Sequence, residues 1–166
     1  MRSWLPVGFG FLMVLLVAVV ILLSHFHFGL TYQVSPSMQK GFYWVRPAKN
    51  LKRGDIALFM PPSHTLLFLR RHHWIPNKGW MMKYIVGIPG DFVCQKDHVI
   101  WINHHKFAHV YNYYAKGKSL PNTHFCGKLK FNQYLLMSTK VKRSFDGRYF
   151  GPIDRKNIIG RVVPVF

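Results

Sequence analysis

The run from Leu5 to Leu23 is almost wholly apolar, with Val, Leu, Ile and Phe on every side of a helical wheel. Beyond it the pattern changes to short strand-like runs at Leu30–Val34, Phe42–Arg46, Ile56–Met60, Leu66–Leu69, Met81–Ile88, Val99–Ile102, Tyr134–Thr139 and Ile158–Val165. Turn formers separate them: Arg53-Gly54-Asp55, Pro61-Pro62, Pro76-Asn77, Pro89-Gly90-Asp91 and Pro121-Asn122. Many short strands with this punctuation predict a mainly β domain of sandwich or barrel type. No long amphipathic helix is expected after the first run. Residues 103–130, rich in His, Lys and Asn, read as a long polar excursion or hairpin.

The first run has the length of a membrane span, which needs about 20 apolar residues. No Asp, Glu, Lys or Arg occurs between Arg2 and Lys40. Trp4 at one end, and His25, Phe26, His27 and Phe28 at the other, suit the two membrane interfaces. A cleaved signal peptide would have an apolar core of about 7–15 residues and a small-residue cleavage site. Ser24-His25-Phe26-His27 matches that site poorly, and a buried core helix would carry a polar face. The expected division is residues 1–29 as cytoplasmic tip and transmembrane signal-anchor, and residues 30–166 as one extracytoplasmic domain. Long domains translocate largely regardless of charge, and residues 24–39 hold no Lys or Arg as a stop signal.

Composition narrows the chemistry. The 166 residues carry a formal charge of +18, from 23 Lys and Arg against 5 Asp and no Glu. A paired-Glu mechanism is excluded, and a carboxylate cage for calcium or magnesium is disfavoured. At 49% hydrophobic and 16% aromatic the chain is too apolar for disorder. Such a charge points first to nucleic acid or an anionic membrane, but the basic residues are dispersed, without a recognisable nucleic-acid motif. All but Arg2 lie beyond the first run, so 22 basic and 5 acidic residues leave the domain at +17. His72 and His73, and His104, His105 and His109, read as solvated surface groups rather than metal ligands. Cys94 and Cys126 allow a single disulfide in an exported domain, or two buried thiols; neither belongs to a zinc-type Cys-x-x-Cys pair.

Three segments carry candidate chemistry. Ser35-Pro36-Ser37-Met38 follows the apolar run closely. Lys83 stands among apolar neighbours in Met82-Lys83-Tyr84-Ile85-Val86-Gly87-Ile88-Pro89-Gly90-Asp91. A free Lys has a pKa near 10.4, so only about one in a thousand is neutral near pH 7.5. Burial lowers that value, and a neutral Lys can take the proton from a Ser hydroxyl, an alternative to the Ser-His-Asp triad; a Lys snorkelling from a strand edge is the structural alternative. Ser144-Phe145-Asp146-Gly147-Arg148-Tyr149-Phe150-Gly151-Pro152 combines a tight turn with an Asp and Arg spaced to pair.

In this order the segments resemble the bacterial type I signal peptidases. That family has a Ser-Met just after a membrane anchor, as in Ser37-Met38. It has a Gly-Asp-hydrophobic box, as in Gly54-Asp55-Ile56, a Lys box ending in Gly-x-Pro-Gly-Asp, as in Lys83 to Asp91, and a final Ser-x-Asp-x-Arg-Tyr-x-Gly box, as in Ser144 to Gly151. The resemblance covers the chain from the anchor to the C-terminus. It implies a mainly β, signal-peptidase-like domain behind one N-terminal transmembrane helix, and a Ser-Lys endopeptidase without metal or cofactor. By position, Ser37 matches the nucleophile and Lys83 the general base. Ser35 matches a hydroxyl assisting the oxyanion hole together with the Ser37 backbone N–H. Ser144 matches the residue orienting the Lys, Asp146 and Arg148 match structural supports, and Met38 is expected to pack near the nucleophile.

Departures from the housekeeping pattern include Tyr84 after the Lys, Ser138-Thr139-Lys140 near the place of a Gly-Asp-Asn stretch, and Gly147 where Ser is common. With Gly41-Phe42-Tyr43 after the Ser-Met, these departures resemble the TraF branch, from conjugative transfer systems. The resemblance implies maturation of an exported precursor, a conjugative pilin in particular, at the inner membrane with the domain on the periplasmic side. A housekeeping signal peptidase is the nearer alternative, and a basic membrane-tethered module for lipid or DNA the more distant one. Expected partners are the precursor, membrane lipids with anionic headgroups and other secretion or conjugation components, with no nucleic acid.

Overall fold

A computed structural model describes residues 5–25, 29–75 and 79–165. Trp4, Phe26, His27 and Phe28, expected at the membrane interfaces, and the turn at Pro76-Asn77 lie outside the described residues. The apolar run forms one helix, α1 (Leu5–His25). Its side chains are described over residues 8–21 and are exposed throughout. Among the described residues no helix is long and apolar enough to cross a membrane.

The rest is mainly β, as the alternation predicts. The main sheet is built from β1 (Gly29–Gln33), β2 (Gly41–Pro47), β3 (Ile56–Phe59), β4 (Met81–Gly87), β11 (Gln133–Met137), β12 (Ile153–Asp154) and β13 (Ile158–Pro164), in the order β1-β2-β13-β3-β4-β11-β12. Its neighbours are antiparallel throughout. A second sheet holds β5 (Phe92–Lys96), β6 (Val99–Ile102), β7 (His105–His109) and β10 (Cys126–Lys128), in the order β10-β5-β6-β7. β8 (Tyr113–Ala115) and β9 (Lys118–Ser119) form a small ribbon.

Two expectations need correction. Leu66–Leu69 is not a strand but part of α2 (Ser63–Arg71). Four apolar residues do not distinguish strand from helix; here Thr65 and Leu69 are the buried pair, and their i,i+4 spacing puts both on one helical face. Residues 103–130 are not one excursion, because they supply β7, the β8–β9 ribbon and β10.

The core has a part for each side of the site. Ala57, Phe59, Ile85, Leu136, Phe150 and Ile153 pack together between the middle strands and the C-terminal segment. Val86, Val93, Ile100, Val110, Leu135 and Tyr149 join the two sheets. Asp91, in the turn between β4 and β5, fastens that junction by accepting from Ile88 N at 2.7 Å, Asn103 Nδ2 at 2.8 Å and Arg53 Nη2 at 2.6 Å. Burial raises its carboxyl pKa, but these donors outweigh that and hold it below the usual value. Cys94 and Cys126, opposite one another on β5 and β10 and 32 residues apart, are joined in a disulfide.

Candidate active site

Ser37 sits in the connection between β1 and β2, and Lys83 on β4. Strand pairing sets the Lys: Ala57 of β3 lies opposite it, and Tyr84 faces Met137 of β11. Lys83 is thus held inside a sheet, not at a strand edge, and is only 5% exposed. Its Nζ donates to Ser37 Oγ at 2.7 Å. Burial pushes the amine down from 10.5 to about 8; Asp146 resists this and Arg148 adds to it. At that value about a quarter of the Lys is neutral at pH 7.5, ready to accept a hydroxyl proton from the atom it touches.

The residues singled out in the sequence meet here. Ser35 Oγ lies 2.9 Å from Ser37 Oγ and accepts from Gln33 Nε2 at 2.7 Å. Met38 is buried beneath them with Tyr43, Leu58, Met82 and Val162. Ser144 lines the same cleft as Ser37 and Lys83, but its hydroxyl is buried without a hydrogen-bond partner and is not bonded to Lys83. Asp146 and Arg148 are buried behind the site. Asp146 Oδ2 accepts from Arg148 Nη1 at 2.9 Å and from Ser138 N at 2.9 Å, and its Oδ1 caps the short helix α3 (Gly147–Phe150) through Arg148 N. Arg148 Nη1 and Nη2 reach the carbonyls of Ser144 and Ser138 at 3.0 and 3.2 Å. Burial pushes the Asp146 carboxyl up, against the pull of Arg148 and of the Ser138 amide. The pair therefore ties the loops that carry Ser138 and Ser144.

Gly147, a departure from the common Ser, has a geometric reason. A Cβ there would stand 2.8 Å from Leu136 O and 2.9 Å from Leu135 Cδ1. The α3 turn sits directly on β11, which carries the chain to Ser138.

Ser138 itself was not among the site residues legible in the sequence. Its Oγ donates to the backbone carbonyl of Ser37 at 2.7 Å, across 101 residues of chain. The only sequence signal was its place just ahead of the last box, at the end of the strand-like run Tyr134–Thr139.

The cleft above this cluster measures about 630 Å³. Its walls include β1 from Leu30, the Met81–Lys83 stretch of β4, Leu69 of α2, Trp74, Tyr111, Tyr113, Tyr114 and the Ser144–Phe145 loop. Among the described residues the lining is largely apolar and aromatic, with Lys83 and Arg143 as its basic members and no carboxylate. His104, His105 and His109 are exposed, and among the described residues no His, Cys or Asp group is placed to hold a metal.

Comparison with known proteins gives the family of the chain. Plasmid transfer protein TraF of Escherichia coli is 29% identical over 147 residues, covering 82% of each chain. Signal peptidase I V of Bacillus subtilis (strain 168) is 28% identical over 123 residues, 68% of this chain and 64% of that protein; the match therefore spans less than two thirds of that relative. A solved signal peptidase I of Enterococcus faecalis V583 aligns at 21% identity and a TM-score of 0.42, over 70% of this chain and 99% of that one. The family model described as "Signal peptidase, peptidase S26" matches residues 1–166. The chain belongs to the signal peptidase S26 family.

Proposed function

We propose that this protein is a membrane-anchored serine endopeptidase that matures exported precursors, conjugative pilin precursors in particular, with Ser37 as nucleophile and Lys83 as general base. The observation that carries the reading is the 2.7 Å contact between Lys83 Nζ and Ser37 Oγ at a buried amine whose pKa has fallen to about 8. Neutral Lys83 takes the Ser37 proton as Oγ bonds to the scissile carbonyl carbon. The oxyanion receives the Ser37 backbone N–H and the Ser35 hydroxyl; one such donor is typically worth about 10²–10³ in rate. Lys83 returns its proton to the departing amine, which leaves an ester on Ser37. Water, or an amine of the same substrate, then attacks the ester carbonyl and releases a linear or a circular product.

The pilin substrate is favoured by the similarity to TraF over 82% of both chains. A membrane anchor is favoured by the uncharged sequence of α1 and by an exposed apolar face just beyond it. There Leu30 stands opposite Trp44 and Tyr32 opposite Phe42, all four exposed. The cleft begins on this same strand, so a substrate held in the bilayer would meet the enzyme in two dimensions. The disulfide fits a domain on the periplasmic side, where thiols oxidise. Anionic headgroups would answer the +17 beyond Arg2.

The deciding experiment assays detergent-solubilised protein on a pilin precursor and on a general secretory precursor. Preferential cleavage of the pilin is expected, with Ser37→Ala and Lys83→Ala inactive but folded. Full activity in either variant would overturn the dyad, and preference for the secretory precursor would favour a housekeeping role. Product mass separates linear from circular. A phosphatase fused after Phe166 should be active; a stable but inactive fusion would contradict the periplasmic domain.

A further inference from the structure

We infer that Ser138 is a positioning residue for the peptidase reaction: its hydroxyl fixes the Ser37 peptide and thereby aims Ser37 Oγ. The inference rests on Ser37 being the nucleophile, as proposed above.

Ser138 follows β11 directly, beside the strand that carries Lys83, and is 1% exposed. Each of its polar groups is engaged. The backbone N–H donates to Asp146 Oδ2 and the carbonyl accepts from Arg148 Nη2. Oγ accepts from Val141 N at 3.2 Å and donates to Ser37 O at 2.7 Å. The partners fix the direction of these bonds, because an amide N–H only donates and a carbonyl only accepts. One residue therefore connects the buried Asp146–Arg148 pair to the main chain of Ser37.

The contact is to the Ser37 backbone, not to its hydroxyl, so it leaves Oγ free for Lys83 and substrate. It holds the Ser37–Met38 peptide plane against rotation. That rotation would turn Cα and carry Oγ off its line to Nζ. A misplacement of about 1 Å at reacting atoms can cost roughly 10²-fold in rate. The loss should fall on the chemical step, since Ser138 is buried below the cleft and is not among its lining residues.

The test compares Ser138→Ala, Ser138→Cys and Ser138→Thr with wild type and Ser37→Ala, as detergent-solubilised full chain on a precursor peptide. Thr keeps the hydroxyl, whereas Cys keeps the size with only a weak donor. For the Ala and Cys variants kcat should fall about tenfold or more, with KM within about twofold. Their rate should still rise with pH through the same midpoint, because burial, Asp146 and Arg148 set the Lys83 pKa. Thr should recover most of kcat. If Ser37→Ala is inactive but Ser138→Ala and Ser138→Cys keep kcat within about twofold, the positioning role is wrong while the nucleophile stands. Should the Ala variant fail to fold, Cys matching or exceeding Thr in kcat would overturn the inference. An active Ser37→Ala would overturn the functional reading and this one with it.

Discussion

Lys83 Nζ and Ser37 Oγ, 46 residues apart in the chain, meet at 2.7 Å in a buried contact. The contact holds a base against a hydroxyl in surroundings that leave a substantial fraction of the base neutral near physiological pH. Four predictions follow from this pair and the elements that hold it.

Activity should rise with pH. With Lys83 near 8, kcat/KM should climb about tenfold per pH unit below pH 7 and level above pH 8–9, because only the neutral amine accepts a proton. A pH–rate profile flat from pH 6 to 9 would contradict the assignment.

The same burial makes Lys83 costly to the fold. Its folded pKa, about 8, lies below the ordinary 10.5, so between these values the unfolded chain binds more protons and stability rises with pH. Below pH 8 the penalty is present in full. A shift of this size, already net of the attraction of Asp146 for the charged form, corresponds to roughly 3 kcal/mol. Lys83→Met should therefore be inactive yet about 1–3 kcal/mol more stable at pH 7, with the gain shrinking toward pH 10. Urea unfolding at the two pH values checks both the sign and the trend.

Gly147→Ala, and equally Gly147→Ser, should destabilise the fold by about 1–3 kcal/mol, the usual cost of forcing extra atoms into a packed site. The added Cβ meets the backbone oxygen of Leu136 at 2.8 Å, and a backbone atom cannot turn aside as a flexible side chain can. Thermal unfolding reads the loss. A neutral substitution would mean that α3 moves freely on β11.

Reducing the disulfide, or replacing Cys94 and Cys126 with Ser, should cost about 3–4 kcal/mol on chain-entropy grounds for a loop of this length. The 32-residue separation encloses β6, β7, β8 and β9 and ties β5 to β10, so the loss should appear first in the second sheet. Hydrogen exchange with and without reductant would locate it.

Much of this site was legible because its residues sit in short, ordered strings. Ser37-Met38, the Lys83 to Asp91 box and the Ser144 to Gly151 box each fold as a local unit: a turn, a strand with its turn, and a loop capped into the short helix α3. The strands at Phe42–Arg46, Met81–Ile88 and Ile158–Val165 were legible from alternation and turn residues, within a residue or so of β2, β4 and β13. Leu66–Leu69 misled because a four-residue apolar run has too little length to reveal a period. β5 went unread because Cys94 and Gln95 break its apolar alternation. Ser138 was illegible for another reason: its meaning is a bond to a backbone carbonyl 101 residues away, and no local pattern encodes such a partner. The idle hydroxyl of Ser144 is likewise a property of the assembled loop and not of the string that contains it.

The position of β13 has a consequence for when the protein can act. β1 and β2 flank Ser37, and β3 and β4 carry the chain to Lys83, yet in the sheet these two pairs are joined only through β13, which lies between β2 and β3. Ribosomes make the chain from the other end, so both reactive side chains exist long before the strand that unites their halves. A growing chain has a serine and a lysine but no common sheet to hold them together. The order of synthesis thus delays the Ser37–Lys83 contact until β13 is in place.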